Sequence, residues 1–392
     1  MSEFLIALAG IPAGIWLYLL LFRGTFWRER PEAAEFVQGE NSCPDIAAVV
    51  PARNEAGVVG QVINGLLAQD YPGRLTVVLV DDNSEDGTAQ EAVDAARLVT
   101  ANGRHRLRVI QGKKLAAGWT GKLWAVNQGV AEAQRVAPSA AYYLLTDADI
   151  LHAPDSLSRL VARAEQGKFN MVSLMAKLRT DTFAEKALIP AYIFFFQKLY
   201  PFAWVRDPKH KLGAAAGGCM LVRASALKKI GGIAAIRGAL IDDCALGRAI
   251  KATGPIWLGL AGNVTSLRGY PHWGDVWNLI TRSAFTQLDH STLLLIGSVL
   301  GMAATYFMPP ILTVSPDPGI RPFGMLAWAA MAGAYLPTLA NYRRSPLWAP
   351  FLPLVALFYT LATVASAIRY WTGKGGQWKG RAQAEHVRRS AA

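Results

Sequence analysis

Cysteine is scarce. Cys43, Cys219 and Cys244 are the whole complement, an odd number with no Cys-x-x-Cys pair. That excludes a disulfide framework and points to a reducing compartment, with each thiol read as a small buried residue. Glycine-rich nucleotide loops are also missing. No Gly-x-Gly-x-x-Gly follows the first strand pattern, which disfavours a dinucleotide-dependent dehydrogenase. No Gly-x-x-x-x-Gly-Lys-Ser/Thr occurs, which excludes a P-loop. His105, His152, His210, His272, His290 and His386 show no metal-ligand spacing and are assigned surface or interfacial positions. There is no zinc-finger spacing and no long basic helix, so the net charge of +12 is not read as a nucleic-acid footprint. Membrane headgroups and anionic substrates fit that charge better.

Apolar residues make up 52% of the chain and are unevenly spread. Phe4 to Phe22 is an uncharged apolar stretch followed by Arg23, Arg28 and Arg30. It reads as an uncleaved anchor with a cytoplasmic flank, because a signal peptide would carry its positive charge first. Ser291 to Val314, Pro322 to Ala340 and Leu347 to Ile368 are further candidate spans. The loop with Arg343 and Arg344 and the basic tail after Ile368 both suit the cytoplasmic side. Three full crossings cannot satisfy both assignments, so either one stretch is re-entrant or interfacial or the positive-inside rule fails here. Met308-Pro309-Pro310 and Pro350 to Pro353 are the expected break points. The apolar run Ala187 to Val205 contains Pro190, Gln197, Lys198 and Pro201, and reads as an interfacial or core helix. The expected organisation is an anchor over 1–30, a cytoplasmic domain over 40–270, interfacial and transmembrane helices over 271–370, and a basic cytoplasmic tail over 371–392.

Between the spans, strand and helix patterns alternate. Ile46 to Val50, Leu75 to Val80, Leu107 to Ile110, Tyr142 to Leu145 and Met171 to Leu178 read as strands. Val58 to Gln69, Asp86 to Val99, Gly121 to Gln134 and Pro154 to Gln166 read as helices. The alternation predicts an α/β domain with a mostly parallel sheet and helices on both faces. In such sheets ligands sit beyond the carboxyl ends of the strands. Polar clusters fall there: Pro51-Ala52-Arg53-Asn54-Glu55, Asp81-Asp82-Asn83-Ser84 and Thr146-Asp147-Ala148-Asp149. They are expected to converge on one cleft.

Each cluster admits a plain reading beside a chemical one. Asp147 and Asp149 fit an acidic turn ahead of the next helix. They also fit a hard cation, Mg²⁺ or Mn²⁺, that neutralises a diphosphate. Asp86-Gly87-Thr88 fits a helix cap, and Asp82 a contact to a base N–H or a ribose hydroxyl. Asp242-Asp243 fits an acidic first turn on the following helix. It also fits paired carboxylates that raise each other's proton affinity, as a general base requires.

The run Val49-Val50-Pro51-Ala52-Arg53-Asn54-Glu55, then Val80-Asp81-Asp82-Asn83-Ser84, Asp147-Ala148-Asp149, Gly217-Gly218-Cys219 and Asp242-Asp243-Cys244 resembles the inverting family 2 glycosyltransferases of GT-A fold. With its terminal apolar stretches the chain most resembles the hopene-associated glycosyltransferases, relatives of ceramide glucosyltransferase. The resemblance implies that Pro51, Glu55 and Asp82 hold the uracil and ribose of a UDP-sugar, with Ala52, Asn54 and Asp81 beside them. It places Lys122 near the donor, Asp147 and Asp149 on the metal and diphosphate, and Gly217, Gly218 and Cys219 at the acceptor. Asp243 is then the base, paired with Asp242. A Gln-x-x-Arg-Trp motif common in membrane members is reduced here to Arg282 and Phe285, with Arg282 left as a diphosphate clamp. The implied protein is a multi-pass enzyme of the bacterial inner membrane that takes a nucleotide-sugar donor and, on the resemblance, a lipid acceptor of the hopanoid class. The competing expectations are a processive polysaccharide synthase and a non-catalytic scaffold or transporter.

Overall fold

The computed structural model describes residues 3–31, 43–99 and 103–373, with the backbone of 377–378 and 381–382. Most of the expected basic tail lies outside the described residues. The chain divides into two compact units. One comprises Met1–Arg30, Thr180–Trp204 and Tyr270–Gly375; the other comprises Pro31–Arg179, Val205–Gly269 and Gly376–Ala392. The segment Thr180–Trp204, contiguous in sequence with the α/β stretch, therefore belongs with the terminal helices.

The α/β unit is built on an eight-stranded sheet. Its strands are β1 (Ile46–Ala52), β2 (Leu75–Asp81), β3 (His105–Gln111), β4 (Tyr142–Thr146), β5 (Ile150–His152), β6 (Met171–Lys177), β7 (Cys219–Arg223) and β8 (Ile256–Ser266). The order is β3-β2-β1-β4-β7-β6-β8-β5. β1 pairs in parallel with β2 and β4, β2 with β3, and β6 with β8. β7 runs antiparallel between β4 and β6, and β5 runs antiparallel to β8. Every residue of β1 and β2 is buried, which explains their unbroken apolar runs: helices cover both faces. β3 is an edge strand in which only His105 is buried and Arg106, Arg108 and Gln111 are exposed. Pairing of β1 with β4 ends at Val49 and Leu145, so Pro51 lies past it on the rim, where a missing N–H costs no ladder bond to β4.

Two histidines depart from the surface positions assigned to them. His105 is buried at the start of β3, its ring nitrogens 2.9 Å from the Leu67 carbonyl and 3.1 Å from the Tyr71 carbonyl. His152 is buried between Thr146 Oγ1, at 2.9 Å, and Ser156 Oγ, at 3.3 Å. Burial pushes its pKa down to about 4, so it is neutral at physiological pH. Both rings serve the core, because each finds backbone or hydroxyl partners there.

The other unit is helical. Helix Glu3–Leu21 is apolar but shorter in its described part, and among the described residues three helices are long and apolar enough to cross a membrane: Thr292–Thr313, Arg321–Asn341 and Pro346–Trp371. Helix Phe183–Leu199 is largely buried inside this unit, which selects the core-helix reading of that run. It opens on a capping box between Thr182 and Glu185. Neither proline run breaks its span outright. Ahead of Met308-Pro309-Pro310 the helix widens into a π turn over Ala303–Phe307. Pro309 has no N–H to offer the Thr305 carbonyl four residues earlier. The indole N–H of Trp16, itself fully buried, donates to that carbonyl at 2.7 Å. In hydrocarbon an unpaired carbonyl costs several kcal/mol, so this bond ties the first helix to the proline turn. At the second run, a 3₁₀ segment over Pro346–Phe351 passes into helix Leu352–Trp371.

Helix Gly121–Val136 lies close against β1 and β2 through Gly129. A Cβ there would stand 2.4 Å from Val49 Cγ1 and 3.0 Å from Val80 Cγ2. Gly129→Val should therefore force the helix off the sheet and destabilise the unit by about 1–3 kcal/mol, the usual penalty of overpacking. A lowered denaturation midpoint of the detergent-solubilised chain checks this. Gly274→Ala, in a helix where nothing lies within 4 Å, should leave the midpoint unchanged or raise it slightly.

Candidate active site

The carboxyl ends of the parallel strands share one rim, since Ala52 stands opposite Asp81 and Asp81 opposite Gln111. The loops after β1 and β2 are laced together there. Arg53 Nη1 donates to the carbonyls of Asp82, at 2.5 Å, and Asn83, at 3.2 Å. Asn54, at φ +50°, donates its N–H to Ser84 Oγ and accepts from the Glu85 N–H with its own side chain. Asp81 Oδ1 accepts from the Ser84 N–H, and the Ala52 carbonyl accepts from the Asp82 N–H at 2.8 Å. Asp81 and Asp82 are both buried. In this structure Ala52, Asn54 and Asp81 thus hold the rim's own backbone in shape.

The centre of the site is Lys122. It lies in the first turn of helix Gly121–Val136, where the helix dipole disfavours a cation. Carboxylates on other elements hold it there. Its ammonium is 2.8 Å from Asp147 Oδ1, after β4, and 3.2 Å from Asp242 Oδ2, at the start of helix Asp242–Lys251. Burial works against the charge, but the two aspartates outweigh it and hold the ammonium above its ordinary pKa. Asp147 is itself raised, by burial and by the nearby charge of Asp149, with Lys122 opposing. Pro51, Lys122, Thr146, Asp147, Gly217 and Asp242 line one cleft with the apolar residues Leu145, Met220, Ile233, Ile236 and Leu246.

Asp243 sits beside this group. Its Oδ2 accepts from the Gly217 N–H at 3.0 Å and its Oδ1 from the Cys244 N–H at 2.7 Å. Burial and the adjacent Asp242 push its pKa up to about 6, against Lys122 and the two N–H donors. Contact with Gly217 requires the chain before β7 to lie directly on helix Asp242–Lys251. Small residues permit it: a Cβ at Gly247 would be 2.6 Å from the Ala214 carbonyl carbon. One at Gly213 would be 2.7 Å from Arg248 Cα. The Thr146 hydroxyl donates to the Gly218 carbonyl at 2.8 Å, which fixes the same chain to the end of β4. The Cys219 thiol points into the main core cluster, and burial pushes its pKa up to about 12.

A residue that the sequence reading passed over completes the site. Arg268, just after β8, donates through Nη2 to Glu55 Oε1 at 2.9 Å and pairs through Nε with Asp149 Oδ2 at 2.6 Å. Its signal in the sequence was only a basic residue at the end of an apolar run. Arg282 belongs to the helical unit, exposed at the end of helix Trp273–Thr281. The structure thus brings together Pro51, Lys122, Asp147, Asp242, Asp243 and Gly217, and links Glu55 to Asp149. Glu55, Asp147, Asp149, Asp242 and Asp243 supply five carboxylates against two side-chain cations. Asp147 and Asp149, both after β4, offer the hard oxygens that Mg²⁺ or Mn²⁺ prefers, but among the described residues no group of three or more acidic, histidine or cysteine side chains is placed to hold a metal ion by itself. Such ions need only one or two protein carboxylates when phosphates complete the shell.

Removal of Lys122 leaves two shielded carboxylates facing each other. Lys122→Met should destabilise the chain by about 1–3 kcal/mol, less than for a fully buried pair because the three side chains keep some exposure. Adding Asp147→Asn should recover part of the loss. A double-mutant cycle on the denaturation midpoint checks it, and simple additivity of the two changes would refute the coupling.

Comparison with known proteins bears on this geometry. Residues 47–231 match the family model described as Glycosyl transferase family 2. A beta-monoglucosyldiacylglycerol synthase of Synechocystis sp. is 35% identical over 107 residues, covering 26% of this chain and 21% of the relative. The enzyme of the same name from Trichormus variabilis is 27% identical over 199 residues, covering 49% of this chain and 38% of the relative. The matches thus span well under half the length of these relatives. A mannosyltransferase from Pyrobaculum calidifontis, solved in complex with GDP-Man and Mn²⁺, superposes with a TM-score of 0.54 at 19% identity. The match covers 94% of this chain and 99% of that one. Taken with the sheet order, these matches give the chain a GT-A glycosyltransferase fold, and residues 47–231 resemble the family 2 glycosyltransferase domain.

Proposed function

We propose that the chain moves a single sugar, with inversion, from a nucleotide-diphosphate sugar to a hydroxyl of a membrane lipid. Asp243 carries the reading: a carboxyl raised to about 6, pinned by the Gly217 N–H, beside the cleft that Lys122 and Asp147 line. Such a group is ionised at neutral pH yet more basic than an ordinary carboxylate, as a general base must be. The acceptor oxygen forms its bond to the anomeric carbon as the carbon–phosphate oxygen bond breaks. The hydroxyl proton goes to Asp243, and the nucleoside diphosphate departs with the bonding electrons. Lys122 faces the charge that develops on the leaving group. Glu55 and Asp82 hold the nucleoside, with Pro51 closing the rim beneath it. Asp147 and Asp149 would hold Mg²⁺ or Mn²⁺, which supplies further neutralisation of the diphosphate when bound.

The acceptor assignment rests on two supports. Three helices are long and apolar enough to cross a membrane, and the relatives above are named as synthases of a glucosylated diacylglycerol. The acceptor is accordingly a lipid hydroxyl, of the diacylglycerol or the hopanoid class. The domain works on the cytoplasmic face of a bacterial inner membrane, where nucleotide sugars are made. UDP is the donor nucleotide that the sequence resemblance implies.

Lipid mass spectrometry of a deletion strain and its parent should reveal a missing monoglycosylated lipid; a missing polymer would refute single transfer. Asp243→Asn should lower transfer by about 10²–10⁴-fold, the usual contribution of a general base, with donor binding kept. For the wild type, kcat/KM should fall on the acid side of about pH 6, where Asp243 takes up its proton before the acceptor arrives. A flat profile through that range would remove Asp243 from the role.

A further inference from the structure

We infer that Arg268 is a resident counter-cation that keeps Asp149 closed to a free divalent ion and releases it when a nucleotide diphosphate binds. This deepens the function proposed above and rests on Glu55 and Asp149 being donor and metal contacts. The guanidinium spans two carboxylates from different strand ends, at 2.9 Å to Glu55 and 2.6 Å to Asp149. The Glu55 and Asp149 side chains are each only 12% exposed, while that of Arg268 is 36% exposed. The acids are therefore shielded from water and the cation has a way out. An isolated surface pair would mean little. Here the backbone builds the contact. Ser266 pairs with Ile150 in the β5–β8 ladder, the Leu267 N–H donates to the Asp149 carbonyl at 2.7 Å, and the Arg268 N–H donates to Ser266 Oγ at 3.3 Å. Arg268 is thus delivered to Asp149 by the strand end itself.

A hard divalent ion and a guanidinium repel each other across one carboxylate oxygen, so Asp149 cannot serve both well. A diphosphate changes that competition. Its oxygens accept paired N–H bonds from a guanidinium in the geometry that arginine favours. They also offer the metal its remaining ligands. Arg268 can then turn from Asp149 to the phosphates, and Asp149 becomes available to the ion. Metal and nucleotide binding are thereby coupled in the same direction, and the coupling is reciprocal. The same arm would keep the acidic rim charge-balanced while the site is empty.

Mn²⁺ binding to the purified full chain in detergent, followed by electron paramagnetic resonance with and without UDP, tests this. In the wild type UDP should tighten Mn²⁺ binding by at least ~5-fold, the lower range of ordinary coupling. Arg268→Gln should tighten Mn²⁺ binding without UDP by a similar factor and shrink the gain from UDP. A purely structural role predicts the opposite, weaker Mn²⁺ binding in every state. Arg268→Lys, which keeps the charge but loses the two-carboxylate fork, should fall between and serves if the glutamine variant fails to fold. No tightening of nucleotide-free Mn²⁺ binding in either variant overturns the inference. Failure of UDP to bind the wild type at all would instead sink the nucleotide-sugar reading.

Discussion

One ammonium group organises the site. Lys122 reaches Asp147 and Asp242, which arrive from a strand end and a helix start far apart in sequence. Asp242 has local support as an acid in the first turn of its helix, whereas the lysine sits against the dipole of its own helix. The arrangement stands because one ammonium offsets part of the charge of two carboxylates in a place only partly open to water. Backbone proximity makes that possible. Gly129 seats the lysine's helix on β1 and β2, and Gly213 and Gly247 seat the chain before β7 on the helix of Asp242 and Asp243. Contacts without side chains thus set the distances that the charged side chains use.

The parts of the fold that the sequence displayed were those with a single strong periodic signal. β1, β2 and β4 are continuous apolar runs because both faces are covered, and each ends in a polar cluster at the common rim. β5, β7 and β8 escaped notice for physical reasons. β5 has three residues, β7 follows a glycine pair that resembles a loop, and β8 carries Gly259 and Gly262 within its length. The same limit hid Arg268, whose partners come from loops after β1 and β4. His105 and His152 showed no ligand spacing, and the inference from that to a surface position failed. A buried imidazole can also be a core residue: carbonyls lie beside both His105 nitrogens and hydroxyls beside both His152 nitrogens. Asp147, Asp242 and Asp243 were visible as acidic pairs, but only the fold shows that one lysine joins two of these acids.

The helical unit obeys a different accounting. Its spans are apolar by composition, so side-chain burial alone says little about which helices associate. Satisfaction of backbone groups is more selective. The proline pair at Pro309 and Pro310 removes donors from its helix, and the Trp16 indole meets the Thr305 carbonyl that results. Trp16 and Tyr306 also pack edge to face, with ring centroids 5.7 Å apart. A proline run that the sequence suggested as a break is instead the point where the first helix is held.

Charge balance connects the rim to the chemistry assigned to it. Around the cleft Glu55, Asp147, Asp149, Asp242 and Asp243 outnumber the two cations Lys122 and Arg268 that pair with them or lie beside them. The nucleoside diphosphate of the proposed function would bring further negative charge into the same partly shielded space, where like charges repel more strongly than in water. Binding can be favourable only if cations turn toward the newcomer or enter with it. Lys122 is held by two acids and can face a phosphate only by sharing that hold. Arg268 is the more exposed of the two cations. An acidic rim of this kind therefore suits a ligand that carries its own divalent ion, and it discriminates against an anion that arrives alone.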